Sequence, residues 1–289
     1  AEHYGELPLT ESLAPAIQLA RTGFEVGPRY RRMATFRAQS FADYPVGAGI
    51  FLKEGASPPV GYRVVQEDLA RTLESIGTDS AQSFYHGLLS SKLVKGVRNR
   101  GGIWTSSDLE DYTVKKRAPL VSDYNGIKIV SAPPPSSGGV ALIQALNILE
   151  RYPLRSFSLV DRTHLVIESM RLAYRDRADF LGDPDFVDVP VERLLEKDYA
   201  RELARSLRVR QATPSAALPE IKFHKEGEDT THYSILDAAG NRVAATLSIN
   251  YPFGALLVPE DTGVLLNNEM DDFSARPLTP NAYGLVGAG

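Results

Sequence analysis

Asp229-Thr230-Thr231-His232-Tyr233-Ser234 is the stretch on which the reading of this chain turns. Two threonines open a segment of period two, in which His232 to Leu236 and Arg242 to Ile249 read as strands. Asp237-Ala-Ala-Gly-Asn241 between them has the chemistry of a hairpin turn. Val243, Ala245, Leu247 and Ile249 alternate with Ala244, Thr246, Ser248 and Asn250. One face is therefore apolar and the other carries hydroxyls and an amide. Further on, Asn267-Asn-Glu-Met-Asp-Asp-Phe-Ser274 supplies amides and carboxylates in a short polar segment. A hydroxyl at a strand start, with a pocket for an amino-acid head group nearby, suits nucleophilic chemistry.

Upstream the periodicity is helical. Ser12 to Thr22 carries Leu13, Ala16, Ile17 and Ala20 on one stripe, with Gly23 as C-cap. Gln66 to Ile76 repeats the pattern with Leu69, Leu73 and Ile76. Helices are also expected over Ala81–Val97, Val140–Glu150 and Thr163–Phe180, with a short helical turn at Ser107–Asp111. Tyr124-Asn-Gly126 reads as a hairpin turn leading into a strand over Ile127–Val130. Ala212 to Asp229 shifts to Pro, Ala, Lys and Glu without periodicity and reads as an exposed, mobile linker. The expected organisation is residues 1–229 as a mainly helical portion ending in that linker, and 230–289 as a second portion, together one structural domain.

Composition narrows the function classes. The chain has 289 residues, 43% hydrophobic and 24% charged, enough to bury a full core. A net charge of −4 argues against a partner held through phosphates, so no nucleic acid is expected. Absence of cysteine excludes disulfides, thiolate catalysis and cysteine metal sites. No run of eighteen apolar residues is present, so no membrane span is expected. The ends, Ala1 and Ala288-Gly289, read as those of an excerpt from a longer polypeptide.

Thr230 is the first candidate for chemistry. A threonine hydroxyl needs a base to take its proton. Cleavage between Asp229 and Thr230 would free an α-amine of pKa roughly 7.7–8.0 within one residue of that hydroxyl. Against this stands the simpler view that Thr230 and Thr231 are β-formers at a strand start. If the hairpin register holds, Ser248 and Asn250 face the same way on the neighbouring strand. Glu269, Asp271 and Asp272 offer carboxylates to a cationic group, although Asx residues also favour plain turns. His232 is judged structural, since alternation sends it to the face opposite Thr231. Ser136-Ser-Gly-Gly139 could cradle an anion at a helix start, but packing or capping explains it better. No histidines show metal-ligand spacing, and Asp183/Asp185 and Glu67/Asp68 fit turns and caps. A rival, non-catalytic reading uses the basic helix around Arg171, Arg175 and Arg177. Asp176 and Asp179 interleave with these and favour a salt-bridged face.

Taken together, Thr230-Thr-His-Tyr-Ser234, Gly240-Asn241, Asn250, Phe253-Gly254, Gly263 and Leu266-Asn-Asn-Glu-Met-Asp-Asp-Phe-Ser274 resemble the gamma-glutamyltranspeptidases in order and spacing. Leu13–Ile17, Asp68-Leu-Ala70, Phe84-Tyr85, Gly101-Gly102, Pro133–Gly139 and Leu181–Phe186 extend the resemblance over essentially the whole chain. The resemblance implies an α+β fold of the N-terminal-nucleophile hydrolase type, a four-layer αββα sandwich. It implies autocatalytic cleavage between Asp229 and Thr230 into large and small subunits, with Thr230 as the mature nucleophile. A gamma-glutamyl group from glutathione or another gamma-glutamyl amide would form an ester on Thr230. Water, an amino acid or a dipeptide would then accept it. Ser248 matches the position of the hydroxyl near the nucleophile, and Asn250, Glu269 and Asp272 match the residues that hold the substrate α-amine. Neither metal nor organic cofactor is implied, and the periplasm or exterior is the implied location.

Three elements of the family pattern fall outside 1–289: an upstream arginine for the substrate α-carboxylate, and downstream Ser-Ser and Gly-Gly segments. The last pair completes the oxyanion hole, whose donors contribute about 2.7–4 kcal/mol each in other enzymes. These residues alone are therefore expected to lack competence as a catalyst. Two alternatives remain: a cephalosporin-acylase-like amidohydrolase of the same fold, and an unprocessed, non-catalytic binding relative.

Overall fold

The computed structural model of the chain describes residues 4–214 and 230–272. Helix α1 spans Leu9–Thr22 and stops at Gly23, whose φ of +80° admits no side chain without strain. It starts three residues before the expected Ser12, because Pro8 tolerates the position just outside a helix. Strand β1 (Phe24–Glu25) and helices α2 (Pro28–Arg37) and α3 (Pro45–Phe51) follow, the last two opened by proline at the first turn. Strand β2 (Arg63–Val64) pairs antiparallel with β1.

Helix α4 (Glu67–Asp79) packs along α1. Its expected stripe of Leu69, Leu73 and Ile76 is only half-buried; Ala70 and Thr72 lie deepest. The reason is a second neighbour. Thr72 donates to Thr262 O at 2.7 Å, and a Cβ on Gly263 would lie 2.2 Å from Leu69 N. The single helix expected over Ala81–Val97 is two, α5 (Gln82–Tyr85) and α6 (Gly87–Arg98). His86 is extended and Gly87 left-handed at φ +79°, so the chain turns there at little steric cost. Helix α7 (Ser106–Glu110) begins with a capping box, in which Asp108 accepts from Thr105 N at 2.6 Å.

Strands β3 (Leu120–Tyr124) and β4 (Ile127–Ser131) form a hairpin. Asn125 and Gly126, at φ +50° and +82°, make the doubly left-handed turn foreseen from Asn-Gly. Helix α8 (Ser137–Leu149) follows the proline-rich loop, and a Cβ on Gly139 would meet Ala132 O at 2.1 Å. Close packing thus accounts for that glycine. Helix α9 (Leu159–Phe180) is capped by Ser158, whose hydroxyl accepts from Asp161 N. Helices α10 (Val191–Leu195) and α11 (Lys197–Ala204) close this part against α8.

Two of the three arginines on the basic face of α9 form ion pairs within their own unit, and Arg177 Nε donates to Ser137 Oγ. Arg171 meets Glu168 at 2.5 Å and Arg175 meets Asp176 at 2.6 Å. Asp176, 1% exposed, also accepts from Gln144 Nε2 and Tyr199 Oη. Burial pushes the Glu168 carboxyl up, but hydrogen bonds from Thr213 and Arg171 outweigh it and hold the group below its ordinary value.

Strands β5 (Thr231–Leu236) and β6 (Arg242–Leu247) pair antiparallel, and a 3-10 turn covers Glu269–Asp272. The described residues fall into two compact units: 4–113 with 230–272, and 114–214. The boundary between the two units falls at residue 114. Their strands form three two-stranded antiparallel sheets. In the first unit Phe41, Phe51, Val64, Phe253, Leu256 and Val258 share one core, which joins residues from before and after Thr230. Most of the foreseen linker, with Asp229, lies outside the described residues. No helix among those described is long and apolar enough to cross a membrane.

Phe41 is fully buried against Phe51 and Phe253, so Phe41→Ala is expected to cost about 3–5 kcal/mol in a chemical denaturation experiment. Because the folded carboxyl of Glu168 titrates below its unfolded value, its contribution is present above the ordinary glutamate pKa and is lost as pH falls through the folded one. Glu168→Gln is therefore expected to flatten the acid side of the stability–pH curve, measured as the denaturation midpoint between neutral and acid pH.

Candidate active site

The hairpin turn sets the register on which the site depends. Asp237 accepts from Asn241 N and Asn241 Nδ2, both at 2.8 Å, and Gly240 takes φ +86°. These bonds, the Asn241 side chain first, hold the Asp237 carboxyl below its ordinary value. Thr231 then pairs with Leu247 and His232 with Thr246. One step further, Thr230 Oγ1 donates to Ser248 Oγ at 3.3 Å. The two expected hydroxyls are thus brought together. His232 Nδ1 lies 2.8 Å from Thr246 Oγ1 and its Nε2 lies 3.4 Å from Ser234 Oγ. Its partners are hydroxyls of the same hairpin, and period two places it on the face shared by Thr230, Thr246 and Ser248.

The alternation expected to run through Asn250 ends at Leu247. Asn250 leaves the strand at φ +66°, a left-handed conformation that asparagine tolerates better than most residues, and is 5% exposed. Its N–H donates to Ser248 Oγ at 3.1 Å and its Nδ2 to Asn268 O at 3.0 Å. Ser248 Oγ therefore accepts from both Thr230 and Asn250.

Asn268 is the junction of the site, and sequence reasoning did not single it out from its polar turn. Its Oδ1 accepts from Tyr251 N at 2.9 Å and its Nδ2 donates to Asp271 Oδ2 at 2.7 Å. Its own N–H donates to Ile249 O at 3.2 Å. Glu269 follows, with its N–H on Asn267 Oδ1 at 3.0 Å. Its Oε1 is buried and has no hydrogen-bond partner among the described residues. A buried carboxylate oxygen of this kind favours a cationic donor. Asp272 ends the 3-10 turn that begins at Glu269. Arg37, from α2, closes the far side by donating from Nη2 to Gly254 O at 3.0 Å. No local pattern in the sequence marks it. Among the described residues no group of three acidic or histidine side chains is arranged to hold a metal.

The chain has counterparts of known structure. Gamma-glutamyltranspeptidase from Helicobacter pylori superposes with a TM-score of 0.71 at 37% identity, covering 75% of this chain and 63% of that one. Cephalosporin acylase from Bacillus halodurans superposes at 0.82 and 30% identity, covering 99% of this chain and 54% of that one. The fold is the α+β fold of the N-terminal-nucleophile hydrolases, as foreseen. The family model for gamma-glutamyltranspeptidase matches residues 1–288, and the chain belongs to that family. The glutathione hydrolase proenzyme of Escherichia coli K12 is 39% identical over 290 residues, 99% of this chain and 50% of that protein. The chain spans about half the length of the curated relatives it matches.

Replacing Ser248 by alanine removes the acceptor shared by Thr230 and Asn250. About 1 kcal/mol of stability is expected to be lost, with Ser248→Thr near wild type, as read from paired denaturation curves.

Proposed function

We propose that the full-length protein is a self-cleaving gamma-glutamyl hydrolase and transferase whose nucleophile is Thr230. The observation that carries this reading is Glu269 Oε1, buried and without a hydrogen-bond partner among the described residues, next in sequence to Asn268, which Asn250 joins to Ser248 and Thr230. A gamma-glutamyl donor presents an α-ammonium group, which would satisfy that oxygen. A glutaryl donor would not. Glu269 thus favours gamma-glutamyl amides such as glutathione over the acyl group of a cephalosporin-acylase-like relative.

In the proposed sequence Thr230 first attacks the carbonyl of Asp229, and water resolves the ester into two subunits. The freed α-amine of Thr230 then serves as the base for its own hydroxyl. Attack on the donor's gamma-carbonyl gives a gamma-glutamyl ester and releases the amine. Water, an amino acid or a dipeptide takes the acyl group and restores Thr230. Ser248 orients the hydroxyl through the 3.3 Å contact, while Asn250, Glu269 and Asp272 take the α-ammonium. Family likeness supports placing the mature protein in the periplasm or outside the cell.

Intact mass spectrometry of the full-length protein, incubated near neutral pH, tests the first step. Two fragments are expected, the smaller beginning at Thr230, whereas Thr230→Ala should remain one uncut, inactive species. A wild-type protein that stays uncut would refute the nucleophile assignment in favour of the binding alternative. In the processed enzyme kcat/KM should rise with pH through the titration of a free α-amine, roughly 7.7–8.0 when unperturbed, because only the neutral amine accepts the proton. A flat profile across that range would count against the amine as base.

A further inference from the structure

The junction at Asn268 is braced by a cation that the proposed chemistry leaves idle. Arg37 sits in the last turn of α2, where an arginine complements the helix dipole equally well from solvent. Instead its guanidinium is drawn inward. Nη2 donates to Gly254 O at 3.0 Å, and the guanidinium carbon lies 5.7 Å from the centroid of the Tyr251 ring. Nε is buried without a hydrogen-bond partner among the described residues. Burial works against the charged form, while Tyr251, Asp271 and Tyr44 favour it. A desolvated, incompletely bonded guanidinium carries a cost that a surface arginine avoids. Something at this place must therefore benefit from it.

The groups it engages flank the site on both sides. Tyr251 follows Asn250 directly and Gly254 follows it by four residues; across the site, Asp271 follows Glu269 by two. Asp271 takes a hydrogen bond from Asn268 Nδ2, so its Oδ2 is already engaged within the turn. Glu269 Oε1 has no such partner among the described residues. Two of the carboxylates in this turn are thereby distinguished: Asp271 braces the turn, and Glu269 is available to a ligand cation.

We infer that Arg37 is a positioning residue for donor binding. It clamps the Tyr251–Gly254 turn to α2 and so fixes Asn250, Asn268 and Glu269 in the arrangement that receives an α-ammonium group. This rests on the reading of Thr230 and Glu269 given above. It assigns Arg37 to recognition of the donor's amine, not to processing and not to the acyl step.

The test uses the full-length protein with Arg37→Met and Arg37→Lys. The readouts are cleavage before Thr230, KM and kcat for gamma-glutamyl-p-nitroanilide, and the inhibition constant of the des-amino glutaryl analogue as competitor. Arg37→Met is expected to cleave as wild type and to raise KM about tenfold, with kcat within about twofold and glutaryl inhibition nearly unchanged. Arg37→Lys, which keeps charge without the fork, should recover part of the loss. Equal weakening of both compounds, or a fall in kcat alone, would overturn the inference. If Arg37→Met does not fold, Tyr251→Leu removes the ring beneath the guanidinium. It should show the same selective rise in KM, and an unselective one overturns the inference. A wild-type protein that cleaves itself but turns over no gamma-glutamyl amide refutes the functional reading, and the inference with it. Turnover by wild type with unchanged selectivity in Arg37→Met refutes the inference alone.

Discussion

Phe253 occupies a left-handed backbone conformation, φ +60°, that a residue with a bulky side chain adopts only under constraint. The constraint is the enclosure of its ring. Tyr30 lies 5.3 Å away edge-on, and Phe41 and Phe51 each lie at 5.4 Å. Leu256 repeats the situation at φ +63° while 2% exposed. Such residues cost on the order of 1–3 kcal/mol each, which burial of large apolar and aromatic surface offsets. Between them Gly254 approaches Leu266 O so closely that a Cβ would stand 2.3 Å from it. The chain therefore doubles back, Ala255 N donates to Leu266 O, and Leu266 N donates to Leu257 O. That return path delivers Asn267–Asp272 to Asn250. The polar site is thus a product of an apolar anchor.

Within the site, division of labour follows from which groups are already bonded. Ser248 has two donors, Asn268 has partners on every polar atom of its side chain, and Asp271 accepts from the Asn268 amide. Glu269 is the exception. Its Oε1 is buried and has no hydrogen-bond partner among the described residues, which leaves it open to a cationic donor.

How much of this was legible depended on whether the cause was local. The β5–β6 register followed from strict alternation and from Asp237 and Asn241, which bond to each other across their own turn. The Asn125-Gly126 turn and the Gly23 stop were legible for the same reason, since left-handed backbone leaves its mark in residue choice. The break at His86-Gly87 was missed because glycine is tolerated inside a helical pattern as well as at its edge. The stripe on α4 was misjudged because the surface covering Ala70 and Thr72 comes from Thr262 and Gly263, some two hundred residues later. The end of β6 at Leu247 could not be foreseen from period two alone, because the left-handed turn at Asn250 is enforced by Asn268 and by the aromatic anchor beyond it. Arg37 and the hub at Asn268 were silent for that reason too: their partners are distant, and no pattern in their own neighbourhood announces them.

The aromatic anchor has one more implication. Tyr30, Phe41 and Phe51 lie on one side of the Asp229–Thr230 bond and Phe253, Leu256 and Val258 on the other, yet they form one core. Severing that bond would leave the packing in place while changing its character from intramolecular to bimolecular. Before the cut, the tether keeps the two pieces at a high effective concentration. Afterwards an unfolded pair must find each other by diffusion. Recovery from denaturation would then depend on dilution for the cut protein and not for its precursor, so maturation would make folding a one-way journey.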